Sequence, residues 1–169
     1  MNWIDEMARS FAREPTDFDA SALPPLLRLA RLGSLVDSLQ QELLRPLEIS
    51  PSGFAILAAL VLAGRPHSLS PGGLSERLGL SSGGTTKILK GLEGAGLIER
   101  HADPEDGRSR RVVLTERGRA RHDRALRILA MASDRLLASL SRRRRREIDE
   151  VLDPLVDILE AQLDGEDEG

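Results

Sequence analysis

The chain of 169 residues has no cysteine and no tyrosine, and its aromatic side chains amount to three Phe and one Trp. Without cysteine there can be no disulfide, no thiolate redox sensor and no zinc site built on sulfur. Leu and Ala supply most of the apolar side chains, which favours helix packing over a sandwich or barrel. No apolar run reaches the roughly 20 residues of a membrane span. The opening Met1-Asn2-Trp3-Ile4-Asp5-Glu6 also lacks the basic-then-apolar order of a secretory leader, so a cytoplasmic protein is expected. Catalytic signatures are missing as well: no nucleophile elbow, paired-carboxylate motif or phosphate-cradling glycine loop surrounds the Ser, His and Asp residues. His67, His101 and His122 fall in different elements with no shared face, so neither a metal nor a cofactor is expected.

What the chain does hold is segregated charge. The formal net charge is −3, which by itself argues against a nucleic-acid partner. Acidic residues, however, crowd the start (Asp5, Glu6, Glu14, Asp17, Asp19) and the end (Asp149 to Glu168), while basic residues predominate between Lys87 and Arg124. With a Debye length of about 8 Å at physiological salt, distant acidic ends do not set the field at a basic surface. An acidic balance therefore leaves DNA open as a partner.

The segment Ser70 to Thr115 carries the clearest pattern. Ser70-Pro71 is a cap and first-turn proline for a short helix with Leu74, Leu78 and Leu80 facing inward. Gly79 permits a sharp turn, and Ser81-Ser82 caps a second helix running from Gly83 towards Gly96. Ile88, Leu89, Leu92 and Ala95 can bury one face of it, leaving Ser81, Ser82, Thr85, Thr86, Lys87 and Lys90 for duplex DNA. Hydroxyls can bond bases or phosphates, a Thr methyl can touch a thymine methyl, and Lys offers charge to phosphates. Leu97 to Arg100 and Arg111 to Leu114 read as two strands around the loop His101 to Arg110. Arg108 and Arg110 are expected at the minor groove or backbone, with Asp106 orienting Arg108. The result is a winged helix-turn-helix.

The run SSGGTTKILKGLEGAGLIER followed by DPEDGRSRRVVLTERG resembles the MarR-type transcription regulators over roughly Leu26 to Leu163. The resemblance implies a mainly α protein with a small β-hairpin wing, in which the first and last helices interlock across a two-fold axis. It further implies a homodimer that acts as a repressor at pseudo-palindromic operators, and release by a small aromatic or phenolic anionic ligand. The corresponding domains are a helical N-terminal extension (residues 1–21), dimerisation helices (22–48 and 141–163), a winged helix-turn-helix with a connecting long helix (49–140) and an acidic tail (164–169).

The flanking residues fit helices. Leu32, Leu35, Val36, Leu39 and Leu43 repeat at helical spacing, and the Ser50-Pro51 cap opens a segment apolar nearly all round, as a buried helix would be. Thr115 caps a long helix expected to continue to Ser141, and a final helix carries Ile148 to Leu163 with Pro154 inside it. The run Arg142 to Arg146 is read as a solvated face pairing with Glu147, Asp149 and Glu150 in preference to a nucleic-acid patch. Trp3, with Ile4, Met7 and Phe11, reads first as an anchor packing the N-terminal helix. Its second reading, as a ligand contact, comes from a similarity to a urate-responsive branch of the family with an extra N-terminal helix and a Trp. The chain departs from that branch at Ala55, where an acidic residue is expected, and at Ile88 and Gly91, where arginines are. A protein-interaction module using the same basic face on an acidic partner is the alternative function.

Overall fold

The computed structural model describes residues 3–13, 19–102 and 110–164. Two compact units divide them, residues 1–126 and 127–169. The first holds α1 (Trp3–Arg13), α2 (Leu23–Leu44), a 3-10 turn (Arg45–Leu47), α3 (Pro51–Leu62), β1 (Ser68–Leu69), α4 (Pro71–Arg77), α5 (Ser82–Gly94), β2 (Ile98–Ala102) and β3 (Arg110–Leu114). The helix α6 (Glu116–Leu136) begins in this unit and ends in the second, which also contains α7 (Arg142–Asp164). Mainly helical architecture with a small sheet is thus the observed fold class.

Local chemistry accounts for the helix starts. The hydroxyl of Ser50 accepts from the Gly53 N–H at 3.0 Å, with Pro51 in the first turn, and Thr115 does the same for α6 through the Gly118 N–H at 2.9 Å. Each cap satisfies one of the donors that a helix leaves unpaired at its start. α3 is apolar because it is the centre of the first unit: Ile56, Leu57 and Leu60 are fully buried. Each such side chain contributes about 1.5–3 kcal/mol of transfer free energy. Leu44, Leu74, Leu89, Leu97, Ile98 and Val112 bury around it from the neighbouring elements. No single described helix is long and apolar enough to cross a membrane; Leu23–Leu47 and Pro51–Leu62 reach that length and composition only as a pair bent by 77°.

The sheet has three strands in the order β1-β3-β2, all antiparallel. The hairpin of β2 and β3 follows the expectation, with Ile98 opposite Leu114 and Ala102 opposite Arg110. β1 has no counterpart in the sequence pattern. It pairs Ser68 with Val113 and Leu69 with Val112, and two residues carry no periodicity by which a strand could be recognised. The long helix is shorter than expected: α6 stops at Leu136, and turn hydrogen bonds from Ala138 to Arg135 and from Leu140 to Leu137 separate it from α7.

One contact fixes where α6 departs from the sheet. A Cβ built on Gly118 would overlap the Leu97 carbonyl oxygen and lie 2.8 Å from Leu114 Cδ1. The Leu97 backbone cannot yield to it, so only glycine fits at this crossing. Gly118→Ala is therefore expected to cost about 2 kcal/mol or more through overpacking, a fall of roughly 4–8 °C in melting temperature for a chain of this size. Thermal unfolding followed by circular dichroism checks it; an unchanged melting temperature would mean that α6 does not approach Leu97 so closely.

Candidate nucleic-acid interface

The helix-turn-helix is assembled by three local devices. Ser70 caps α4, its hydroxyl accepting from the Gly73 N–H at 3.0 Å. At the turn, Gly79 sits at φ +58°, a left-handed conformation that glycine adopts at little cost, and the Leu80 N–H donates to the Ser75 carbonyl at 2.9 Å. Ser81 then caps α5 through the Gly84 N–H at 3.2 Å. Leu89 and Leu92 turn into the core, while Ser81, Ser82, Gly83, Thr86, Lys87 and Lys90 are exposed. Thr86 Oγ1 donates to the Ser82 carbonyl at 2.9 Å, which orients its hydroxyl along the helix and leaves its methyl group free.

Thr85 corrects the expectation. It is only 1% exposed, and its hydroxyl is hydrogen-bonded to the Ser75 hydroxyl at 2.8 Å. A side chain enclosed between α4 and α5 cannot reach a base or a phosphate, so Thr85 leaves the set of DNA-facing residues. The signal was in the spacing: Thr85, Leu89 and Leu92 stand at i, i+4 and i+7, on one helical stripe. Ser75, which the sequence reading does not single out, is its partner.

On the wing, Arg110 is exposed where β3 begins. Arg108 and Asp106 lie outside the described residues. Arg111, the next arginine, points elsewhere: its Nε donates to Ser68 Oγ at 2.7 Å and its Nη2 to the Ser68 carbonyl at 3.1 Å, tying β1 to β3. Arg100 of β2 pairs with Glu93 of α5 at 3.2 Å, joining the sheet to the end of that helix. Thr115 strengthens that joint, since its hydroxyl also donates to the Gly96 carbonyl at 2.9 Å and its N–H donates to the Leu97 carbonyl at 3.2 Å.

Away from this face, Trp3 is a second correction. Ile4 is the fully buried anchor of α1, whereas Trp3 stays 56% exposed; the Arg28–Asp5 ion pair at 2.7 Å links α1 to α2. The arginine run follows the expected solvated face in part: Arg143 and Arg144 pair with Glu147, whereas Arg145 is half-buried and reaches back to Asp134 and the Leu137 carbonyl instead of the expected Asp149 or Glu150. His122 is buried and stacked on Phe54, with ring centroids 5.5 Å apart, and its Nδ1 lies 2.9 Å from Asp123. That hydrogen bond, helped by the nearby Arg119, holds the Asp123 carboxyl below its ordinary value against the opposing effect of desolvation. Among the described residues no group of three His, Cys, Asp or Glu side chains could hold a metal ion.

Comparison with known proteins places this arrangement. Residues 47–109 match the model of the MarR family. Over 127 residues the chain is 31% identical to an HTH-type transcriptional repressor of Mycobacterium bovis, covering 75% of this chain and 89% of the relative. The chain belongs to the MarR family. Its members are DNA-binding transcription regulators, not enzymes. A mutant MarR of E. coli complexed with operator DNA is 26% identical and superposes with a TM-score of 0.70, over 82% of this chain and 99% of that one. An organohalide-sensing regulator in its 2,4-dichlorophenol-bound form is 23% identical, with a TM-score of 0.71 and 87% of each chain covered.

Within this MarR-family fold, adjacent wing arginines differ in environment and should differ on mutation. Arg111→Ala removes two hydrogen bonds to Ser68 and is expected to lower stability by about 1–3 kcal/mol. Arg110→Ala, at an exposed position, should leave the melting temperature within about 2 °C, a surface change being worth within roughly 0.5 kcal/mol. Thermal melts of the two variants side by side check the assignment. Equal losses would contradict it.

Proposed function

We propose that the chain is a homodimeric repressor that reads a pseudo-palindromic operator with one α5 helix per half-site. The observation that carries this reading is the outward face of α5, where Ser82, Thr86, Lys87 and Lys90 are all exposed, as is Arg110 at the start of the wing strand β3. Two lysines at i and i+3 supply charge for the phosphates, and small polar groups at the helix start let the backbone approach a major groove about 12 Å wide. The mutant MarR of E. coli complexed with operator DNA, which shares this fold, supports a role at DNA. Ser81 contributes through its cap, which orders the first turn, and we retain Arg108, oriented by Asp106, as the wing's groove contact.

The dimer is supported by apolar side chains left in water. On α2, Leu26, Leu32 and Leu35 are half exposed; on α7, Val151, Ile158 and Leu159 are likewise uncovered. Monomers seldom leave such rows open. We assign residues 22–48 and 141–163 to dimerisation, and the half-sites then lie about one helical turn, roughly 10 base pairs, apart. A cytoplasmic location follows from this role at DNA. The effector we assign is a small aromatic anion, in line with the dichlorophenol-bound relative, and Trp3 offers it an accessible ring face.

The test begins with selection of bound fragments from the source genome, followed by titration of the recovered site at several salt concentrations. Lys87→Ala and Lys90→Ala are each expected to weaken operator and unrelated duplex alike and to flatten the log–log salt slope by about one unit. A shallow wild-type slope with no preferred sequence would favour the protein-interaction reading instead.

A further inference from the structure

We propose that Ser75 and Thr85 are positioning residues that set the rotation of α5 about its own axis, and thereby which side chains meet the bases. The inference rests on α5 being the DNA-reading helix. Thr85 is adjacent to Thr86 and Lys87, so any rotation that Thr85 permits is passed directly to them. A turn of about 20° moves a group at the helix rim, some 5–6 Å from the axis, by roughly 2 Å. Hydrogen bonds to base edges tolerate a few tenths of an ångström. Phosphate contacts through flexible lysines tolerate far more, so sequence discrimination is the property at stake.

Burial of Leu74, Leu89 and Leu92 is a non-directional constraint and defines this rotation less sharply than a hydrogen bond does. The hydroxyl pair has both a distance and a direction. Ser75 brackets the turn from both sides: its carbonyl accepts the Leu80 N–H at 2.9 Å, and its hydroxyl lies 2.8 Å from Thr85 Oγ1 and 3.1 Å from the Pro71 carbonyl. The two hydroxyl protons suffice for both side-chain bonds. With Gly79 in a left-handed conformation inside the bracket, the turn has a weak intrinsic preference of its own and the bond across it fixes the geometry.

Thr85→Val tests this without leaving a buried polar group unpaired, since the volume is nearly kept and the Ser75 hydroxyl still has the Pro71 carbonyl. The readout is the ratio of operator affinity to affinity for unrelated duplex, measured with the selected site. Thr85→Val is expected to lower that ratio about fivefold, the equivalent of one net hydrogen bond, with non-operator binding, salt slope and melting temperature close to wild type. Thr85→Ser keeps the hydroxyl and should restore the ratio to within about twofold. Should Thr85→Val melt well below wild type, Ser75→Ala supplies the same measurement, because Thr85 can turn its hydroxyl to the Ser81 carbonyl four residues back. An unchanged ratio in these variants, or equal losses on both DNAs, overturns the positioning role while the DNA reading stands. A wild-type protein with no operator preference overturns the DNA reading itself, and the positioning role with it.

Discussion

The close crossing of Gly118 over the Leu97 carbonyl is the constraint on which the rest of the first unit depends. Three chain segments meet there: the turn after α5 at Gly96, the end of β3 at Leu114 and the start of α6. Thr115 serves all three, capping α6 with its hydroxyl oxygen, donating that hydroxyl to Gly96 and donating its backbone N–H to Leu97. A recognition helix needs its far end held if its near end is to be placed reliably. Here that end is fixed by backbone and hydroxyl bonds, with the Arg100–Glu93 pair beside them, and no long side chain has to be ordered for the purpose except that arginine.

The opposite end of α5 is held by different chemistry. A buried hydroxyl pair reaches across the helix-turn-helix from α4, while within the sheet Arg111 ties the short strand β1 to β3. The exposed face is left to small polar groups and lysines, so the structural and the DNA-facing side chains are separated around the helix instead of being mixed. In the proposed complex the formal charge of −3 is no obstacle, because Lys87, Lys90 and Arg110 would meet the phosphates within a Debye length.

Much of this was legible because helix capping is a local property. Ser50, Ser70, Ser81 and Thr115 each bond an N–H three residues on, and each can be read from its own neighbourhood without knowledge of the fold. Gly96 as a helix end and the β2–β3 hairpin were legible for the same reason. What escaped depends on contacts distant in sequence. β1 exists only because β3 pairs with it, and Ser75 matters only because α5 folds back to meet it. Thr85 reads as DNA-facing because a hydroxyl suggests solvent, although its spacing with Leu89 and Leu92 points inward. Trp3 and Ile4 are adjacent on one helix, and only the packing of α1 decides which of them is buried.

The central claim is that α5 is a DNA-reading face presented by a frame already in place before DNA arrives. Amide hydrogen exchange on the free protein and on its complex with the selected operator addresses it most directly. New protection on binding is expected to be confined to Ser82 through Lys90 and the wing strands, with the amides of Leu97, Thr115 and Gly118 already slow in the free protein and unchanged in the complex. Protection that appears mainly elsewhere, or a Thr115–Gly118 segment that becomes protected only when DNA binds, would contradict it.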